Sequence, residues 1–386
     1  MLNLKKLYVQ IVPAVLFSLS LVGVTSWAED GVTEKEIIIG MSNALSGPTA
    51  ALGTGVKAGS SVYINKVNAQ GGINGRKIML ISYDDGYEPE RASANAKKLI
   101  EEDKVFALFG FVGTPTSSAV MPLFSKAGVP YIAPFTGAEL LRNPINKNLF
   151  NVRASYFDET EAMVNHLTKD LGIKKIGVFA QADAYGDAGR AGVNRALRKF
   201  NMTLVGDGKY PRNTVDIDEG LEALKKANPE AVIMIGTYKP CAAFIKKAKS
   251  QGFNPKFLNV SFVGTDPLIS ELGKDGDGVI VTQVVPNPKD SLLPIVKEFK
   301  TDMKAADQAS VDFTSLEGYI DAVVLVEGLK KTSTLTRSSF ETAMESLAVD
   351  VGGMKTMFGP AQHQAFREVY LTKISGGKAV TISKLE

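Results

Sequence analysis

The sequence predicts an α/β protein built as two parallel-sheet lobes. Short apolar runs alternate with amphipathic helical stretches, the alternation restarts midway along the chain, and 386 residues exceed what one core accommodates. Ile37-Ile38-Ile39 begins the first strand, and the Gly40 to Gly55 loop leads into a helix ending near Ala69. Gly71-Gly72-Ile73-Asn74-Gly75 is a turn, Ile78 to Tyr83 a strand, and Pro89 to Asp103 a helix with Ala92, Ala96, Leu99 and Ile100 on one face. Val105 to Phe109 is a strand, Pro115 to Ala127 a helix begun by proline, and Tyr131 to Ala133 a strand. Runs of four to six apolar residues separated by helices imply parallel strands with right-handed crossovers.

The second series starts at Ile176 to Ala180, followed by a helix on which Val193, Ala196, Leu197 and Phe200 share a face. Further strands are predicted at Thr203 to Gly206, Val232 to Ile235 and Val279 to Thr282, with helices around Leu221 to Ala227 and Cys241 to Gln251. Two βα series of similar length imply two similar lobes. The chain carries neither a short repeat nor a low-complexity linker, so the lobes join through short crossings.

The first residues predict export. Lys5 and Lys6 precede an apolar run from Leu7 to Val24, and small residues Ser26 and Ala28 stand three and one positions before a cut ahead of Glu29. Gln10, Pro13, Ser18 and Ser20 interrupt the run, which argues against a spanning anchor. No cysteine lies near the cut, so a soluble mature protein in the periplasm is expected, with residues 1–28 as the signal peptide. Loss of that segment removes two of 44 basic residues against 41 acidic ones. Near-neutrality without basic clusters gives no reason to expect nucleic acid or a membrane surface as partner.

Cys241 is the single cysteine, which precludes an internal disulfide and a cysteine metal site. His166 and His363 are the only histidines, so a Ser-His-Asp centre and histidine-rich metal binding are poorly supported, and no cofactor motif appears. Tyr83-Asp84-Asp85-Gly86 reads as a turn, because a metal site needs more oxygen ligands at fixed spacing. The chemistry must therefore be binding, with no enzyme activity expected.

Open parallel sheets receive ligands at the carboxyl ends of their strands, beside helix N-termini. That singles out the loops Leu45 to Gly53, Gly110 to Thr116, Pro134 to Glu139, Gln181 to Asp187, Gly236 to Cys241 and Asn259 to Asp266. They are rich in Gly, Ser, Thr, Tyr and Phe, which can hold a carboxylate and enclose an apolar body. None carries a nucleophile–base pair.

Several motifs in these loops and around them occur in an ordered series: Leu45-Ser46-Gly47-Pro48 with Leu52-Gly53, Asn68-Ala69-Gln70-Gly71-Gly72-Ile73-Asn74-Gly75, Tyr83-Asp84-Asp85, Gly128-Val129-Pro130, Pro134, Asp183-Ala184-Tyr185-Gly186 and Gly236-Thr237-Tyr238. In this order the sequence resembles the type I periplasmic binding proteins of the Leu/Ile/Val-binding family across essentially the whole mature chain. The resemblance implies two Rossmann-like lobes joined by three crossing segments: residues 29–156 and 284–351 in lobe one, 157–283 and 352–386 in lobe two. It also implies a monomeric solute-binding component of an ATP-driven (ABC) importer, which closes on a small amino acid or related organic acid and presents it to a membrane permease. A periplasmic sensor that presents an aromatic or organic acid or an amide to a chemoreceptor or kinase is the alternative.

By the same resemblance, Thr114 supplies a hydroxyl and amide for a ligand carboxylate, with Thr116 beside it; both could instead cap the following helix. Phe135, Thr136 and Gly137 match the loop after the fourth strand, where Phe135 replaces a small residue and Thr136 is the expected hydroxyl. Tyr185 and Tyr238 match aromatic positions that close over the ligand, and Leu52 stands where relatives often carry an aromatic. Ser261 falls where amino-acid binders place the carboxylate for the ligand's ammonium, leaving Asp183 or Asp266 as substitutes or a ligand without that ammonium. Tyr87 and Gly113 stand where the family has a disulfide. Arg153 reads as a hinge residue and Cys241 as packing.

Overall fold

A computed structural model describes residues 29–308 and 310–386; the expected signal peptide lies outside them. The first lobe begins with β1 (Glu36–Asn43), α1 (Ala50–Ala69), β2 (Lys77–Asp84), α2 (Pro89–Glu101), β3 (Ala107–Phe109), α3 (Thr114–Ala127), β4 (Tyr131–Ile132) and β5 (Leu149–Phe150). These strands form one parallel sheet in the order β2-β1-β3-β4-β5. The reversal of winding at β1 opens a crevice at the carboxyl ends of β1 and β3, where loops can receive a ligand.

The second lobe follows as α4 (Tyr156–Lys169), β6 (Ile176–Gln181), α5 (Ala184–Arg198), β7 (Gly206–Tyr210), α6 (Asp218–Ala227), β8 (Ala231–Ile235), α7 (Tyr238–Ser250), β9 (Lys256–Asn259), α8 (Thr265–Leu272) and β10 (Ile280–Gln283). The chain then leaves for α9 (Pro294–Ala305), α10 (Phe313–Lys331) and α11 (Arg337–Glu345), and returns as β11 (Tyr370–Ser375) and β12 (Lys378–Ile382). The second sheet runs β12-β11-β10-β9-β8-β6-β7, parallel except where β11 pairs antiparallel with β10 and β12.

α10 returns the chain to the first lobe by packing along α1. The approach is so close that a Cβ on Gly59 would lie 1.8 Å from the Ser315 carbonyl oxygen, and one on Gly318 2.3 Å from that of Val56. The Ser60 hydroxyl, 3.0 Å from the Gly318 carbonyl, uses the space this leaves. Sixteen of the nineteen residues of α10 are buried, so nearly its whole circumference is interior. Among the described residues no helix is long and apolar enough to cross a membrane.

Three segments pass between the lobes: the residues after β5, those after β10, and those before β11. The first and third run side by side, the Asn151 amide donating to the His363 carbonyl at 2.8 Å and the Ala365 amide to Asn151 at 2.9 Å. His363 stacks on Phe150 with centroids 4.3 Å apart, a packing role at this paired crossing. Cys241 is likewise fully buried, and burial alone pushes its thiol pKa well above the ordinary range.

One predicted strand is displaced. The apolar run Thr203 to Gly206 precedes the true strand β7, whose sequence is Gly-Asp-Gly-Lys-Tyr. β7 is an edge strand paired only to β6, so it needs no continuous apolar character. Its glycines admit α6 instead: a Cβ at Gly208 would lie 2.5 Å from the Gly220 carbonyl oxygen.

The α1–α10 contact yields a stability prediction. Gly59→Ala must push the two helices apart and is expected to cost about 2 kcal/mol or more, read as a lower urea midpoint. Gly359→Ala, where an added Cβ meets nothing within 4 Å, should leave the midpoint unchanged.

Candidate functional site

The loops after β3 and β4 are held together beyond the ends of their strands. The Phe135 amide donates to the Phe111 carbonyl at 2.9 Å, and the Gly113 amide to Phe135 at 3.2 Å. This pairing brings the Thr114 and Thr136 hydroxyl oxygens within 2.6 Å, with the Tyr156 hydroxyl 3.3 Å from Thr136. Three hydroxyls joined by two hydrogen bonds retain one O–H to donate outward. Thr114 is also the first residue of α3, whose opening amides have no carbonyl within the helix and whose dipole favours negative charge. The arrangement can receive a carboxylate.

Neither threonine caps α3. Its cap position is Gly113, and no side chain accepts from its amides. The Thr116 hydroxyl instead faces the Val112 and Gly113 carbonyls, at 2.5 and 3.0 Å, within the strand-to-helix turn. Thr116 therefore stands apart from the hydroxyl chain. Gly137 joins it through the backbone: its carbonyl accepts from the Tyr156 amide at 2.7 Å, and a Cβ would strike the Tyr156 ring at 2.6 Å.

Buried aromatic rings pack together beside these hydroxyls. Phe262 lies 5.5 Å from Phe135, 4.7 Å from Tyr185 and 6.1 Å from Tyr87 between centroids, and Tyr156 lies 5.4 Å from Tyr185. Such separations are those of favourable aromatic pairs. Tyr185 hydrogen-bonds the Gly236 carbonyl at 3.3 Å, and its ring is wholly buried. Leu52 and Tyr238, from opposite lobes, both lie beside Gly264, apart from the hydroxyl chain.

Tyr87 and Gly113, which the resemblance aligned with a disulfide, lie against each other: a Cβ on Gly113 would sit 2.3 Å from the Tyr87 ring. Glycine thus makes room for the aromatic, which spans the cleft to meet the Gln181 side-chain nitrogen at 3.2 Å. Glu88 adds a second clasp by receiving Arg212 at 2.7 Å and Asn213 at 2.6 Å.

The charged heart of the cleft is Arg153, in the first crossing segment. Its side chain is 1% exposed, and its guanidinium carbon lies 4.9 Å from the Phe135 ring centre. Nη2 donates to the Ser261 hydroxyl and faces Glu159 at 3.4 Å; Nη1 lies 3.3 Å from Glu317 on α10. Glu159 also accepts from the Ser261 amide at 2.7 Å, the Ser261 hydroxyl at 3.0 Å and the Thr282 hydroxyl at 2.6 Å. Burial raises the Glu159 pKa against the pull of Arg153 and these donors. Burial also lifts Glu317 to about 7 and Asp321, one turn further along α10, well above the usual carboxylate range.

Ser261 is therefore engaged with an arginine and a glutamate. The two substitute acids are committed elsewhere: Asp183 caps α5 by accepting from the Tyr185 amide at 3.0 Å, and Asp266 pairs with Lys289. Sequence reasoning missed Tyr156, Glu159, Phe262 and Glu317, and it assigned Arg153 to the hinge alone. Only the Ser155–Asp158 capping box carried a local signal, since it fixes where α4 starts and so aims Tyr156 and Glu159.

Asp84 and Asp85 hold the loop leading to Tyr87. Asp84 accepts from the Leu45 amide at 2.9 Å, the Ser46 hydroxyl at 2.6 Å, the Gly86 amide at 2.9 Å and Arg91 at 2.9 Å. Burial opposes its charge, but these donors keep its carboxyl well below the usual range. Asp85 is fully buried, and burial pushes it up to about 6 although Ser42 and the Tyr87 amide donate to it at 2.7 and 2.8 Å.

A family model described as periplasmic binding protein matches residues 36–379. Among curated proteins, Leu/Ile/Val-binding protein homolog 7 of Brucella abortus (strain 2308) is 26% identical over 339 residues, 84% of either chain. Among solved structures, a possible leucine/isoleucine/valine-binding protein from Rhodopirellula baltica SH 1 is 38% identical with a TM-score of 0.86, covering 93% of this chain and 98% of that one. A substrate-binding periplasmic protein from Ralstonia solanacearum is 28% identical with a TM-score of 0.84, covering 90% and 99%.

The paired aspartates predict opposite pH signatures. The folded pKa of Asp85 lies above its unfolded value, so its proton stabilises the fold fully below about pH 4, and that contribution is lost as pH rises toward 6. Asp85→Asn should abolish this decline, on the order of 3 kcal/mol. The depressed carboxyl of Asp84 stabilises above the ordinary carboxylate range and less on acidification. Asp84→Asn should therefore be weaker than the parent at pH 7, with the gap closing toward acid. Urea midpoints measured across pH 2 to 7 check both, the Asp85 change falling between about pH 4 and 6 and the Asp84 gap closing below about pH 4.

Proposed function

The chain belongs to the periplasmic binding proteins, and from that premise we propose that it is the exported solute-receiving component of an ATP-driven importer, binding a small carboxylate between its lobes. The family consists of binding proteins, not enzymes. Residues 1–28 would be removed on export, and the mature monomer would hand its ligand to a membrane permease. On this reading the lobes divide as 29–156 with 284–351 and 157–283 with 352–386.

The hydroxyl chain Thr114–Thr136–Tyr156 at the start of α3 carries this reading. It offers a proton and a helix N-terminus to one carboxylate, with the buried rings of Phe135, Tyr185 and Phe262 packed beside it to meet an apolar body. Leu52 and Tyr238, on opposite lobes beside Gly264, would close over that body. Branched-chain amino acids, for which the relatives are named, and their related acids fit this description of size and chemistry. Closure around such a ligand would shift an open–closed equilibrium toward the form the permease engages.

The test is a thermal-shift panel on mature protein stripped of carried-over ligand, covering amino acids, their oxo acids and aromatic acids. A specific ligand at a thousand times its Kd should add about 4 kcal/mol of stability. The reading predicts a shift with members of the carboxylate panel and none with neutral sugars; a shift with sugars alone contradicts it. Thr136→Val should weaken the best ligand about tenfold, whereas unchanged affinity would remove that hydroxyl from the site.

A further inference from the structure

Ser261 stands where, by resemblance, an amino-acid binder carries an acid for the ligand's ammonium. Its hydroxyl instead receives the guanidinium of Arg153. The nearest carboxylate, Glu159, is already occupied: four donors, from Ser261, Thr282 and Arg153, converge on its two oxygens. Arg153, by contrast, has donors to spare. Its Nε and Nη1 have no hydrogen-bond acceptor although the side chain is 1% exposed, and Glu317 Oε1, 3.3 Å from Nη1, is likewise without a hydrogen-bonded partner. A buried cation whose Nε has no acceptor and whose Nη1 holds only the ion pair with Glu317, beside Phe135 and Ser261, is a ready partner for an acceptor.

We propose that Arg153 is the cationic partner of the bound solute, and that the solute is a carboxylic acid without an α-ammonium group. This deepens the reading above and rests on it. The hydroxyls of Thr114 and Thr136 and the arginine then act on the same class of group, an anion, and Glu159 and Ser261 serve as positioning residues that fix the guanidinium. Glu317 is a weak competitor for Arg153 near neutrality, because burial keeps its carboxyl up at about 7. An incoming α-ammonium would meet a guanidinium where an amino-acid binder offers a carboxylate, and like charges in a dry site repel.

Calorimetry on stripped wild-type protein with leucine, 4-methylpentanoate and 4-methylpentanamide separates the cases. The acid should bind at least about tenfold more tightly than the other two. Arg153→Gln should weaken the acid by a similar factor, with Arg153→Lys intermediate; both variants are checked for an intact thermal transition. Because the wild-type comparison needs no substitution, it stands even where a variant fails to fold. Leucine binding more tightly than the acid overturns the inference and leaves the solute-binding reading intact. Leucine binding that survives Arg153→Gln but fails in Asp266→Asn does the same and relocates the charge partner to Asp266. If neither leucine nor the acid binds wild-type protein, and the wider carboxylate panel is silent too, the carboxylate reading falls and this inference falls with it.

Discussion

Arg153 carries a full positive charge inside the protein, and groups from both lobes are placed around it. The guanidinium sits in the first crossing segment, so neither lobe alone surrounds it. Glu159 and Ser261 come from the second lobe, Glu317 from α10 packed on the first, and Phe135 covers it from the loop after β4. Removing one partner from such a cluster leaves an uncompensated buried charge, which is far more costly than an ion pair at the surface. The position of α10 therefore matters beyond packing. The glycine contacts of Gly59 and Gly318 let α10 lie deep enough to deliver Glu317.

Arg142 extends this network to the ligand loop. It donates to the Gln364 side chain of the third crossing at 2.7 Å, to the Ala138 carbonyl at 3.0 Å and to the Arg153 carbonyl at 3.1 Å. It also reaches the Thr136 carbonyl at 3.3 Å. Two crossings and the loop that carries Thr136 thus share one side chain, so rotation at the crossings and the setting of Thr136 are mechanically linked. The clasps across the cleft, Tyr87 to Gln181 and Glu88 to Arg212 and Asn213, are individually modest. A ligand that touches both lobes is the term large enough to decide between open and closed.

The longer parallel strands were legible because burial on both faces demands continuous apolar runs, as in Ile176–Gln181 and Ala231–Ile235, whereas the short β5 and β9 offered too few residues for such a run and went unpredicted. β7 escaped the same logic because it lies at an edge and is built on Gly206 and Gly208 to admit α6. The hydroxyl and aromatic groups of the cleft were legible at the level of loops, since strand ends and helix starts can be found from periodicity. The ionic cluster was not. Glu159 in the first turn of α4 reads as an acid matched to a helix dipole, and Glu317 as one polar position on an apolar helix. Nothing in the linear order brings residues 153, 159, 261 and 317 together; only the three crossings do.

The claim at the centre of this account is that the cleft presents a cation and hydroxyls to its ligand, and so selects an anion. The most direct measurement is native mass spectrometry of protein purified without stripping, followed by chemical analysis of what denaturation releases. The account predicts a small carboxylic acid that does not react with primary-amine reagents. Release of an amino acid in stoichiometric amount would contradict it and return the role of ligand partner to a carboxylate of the cleft.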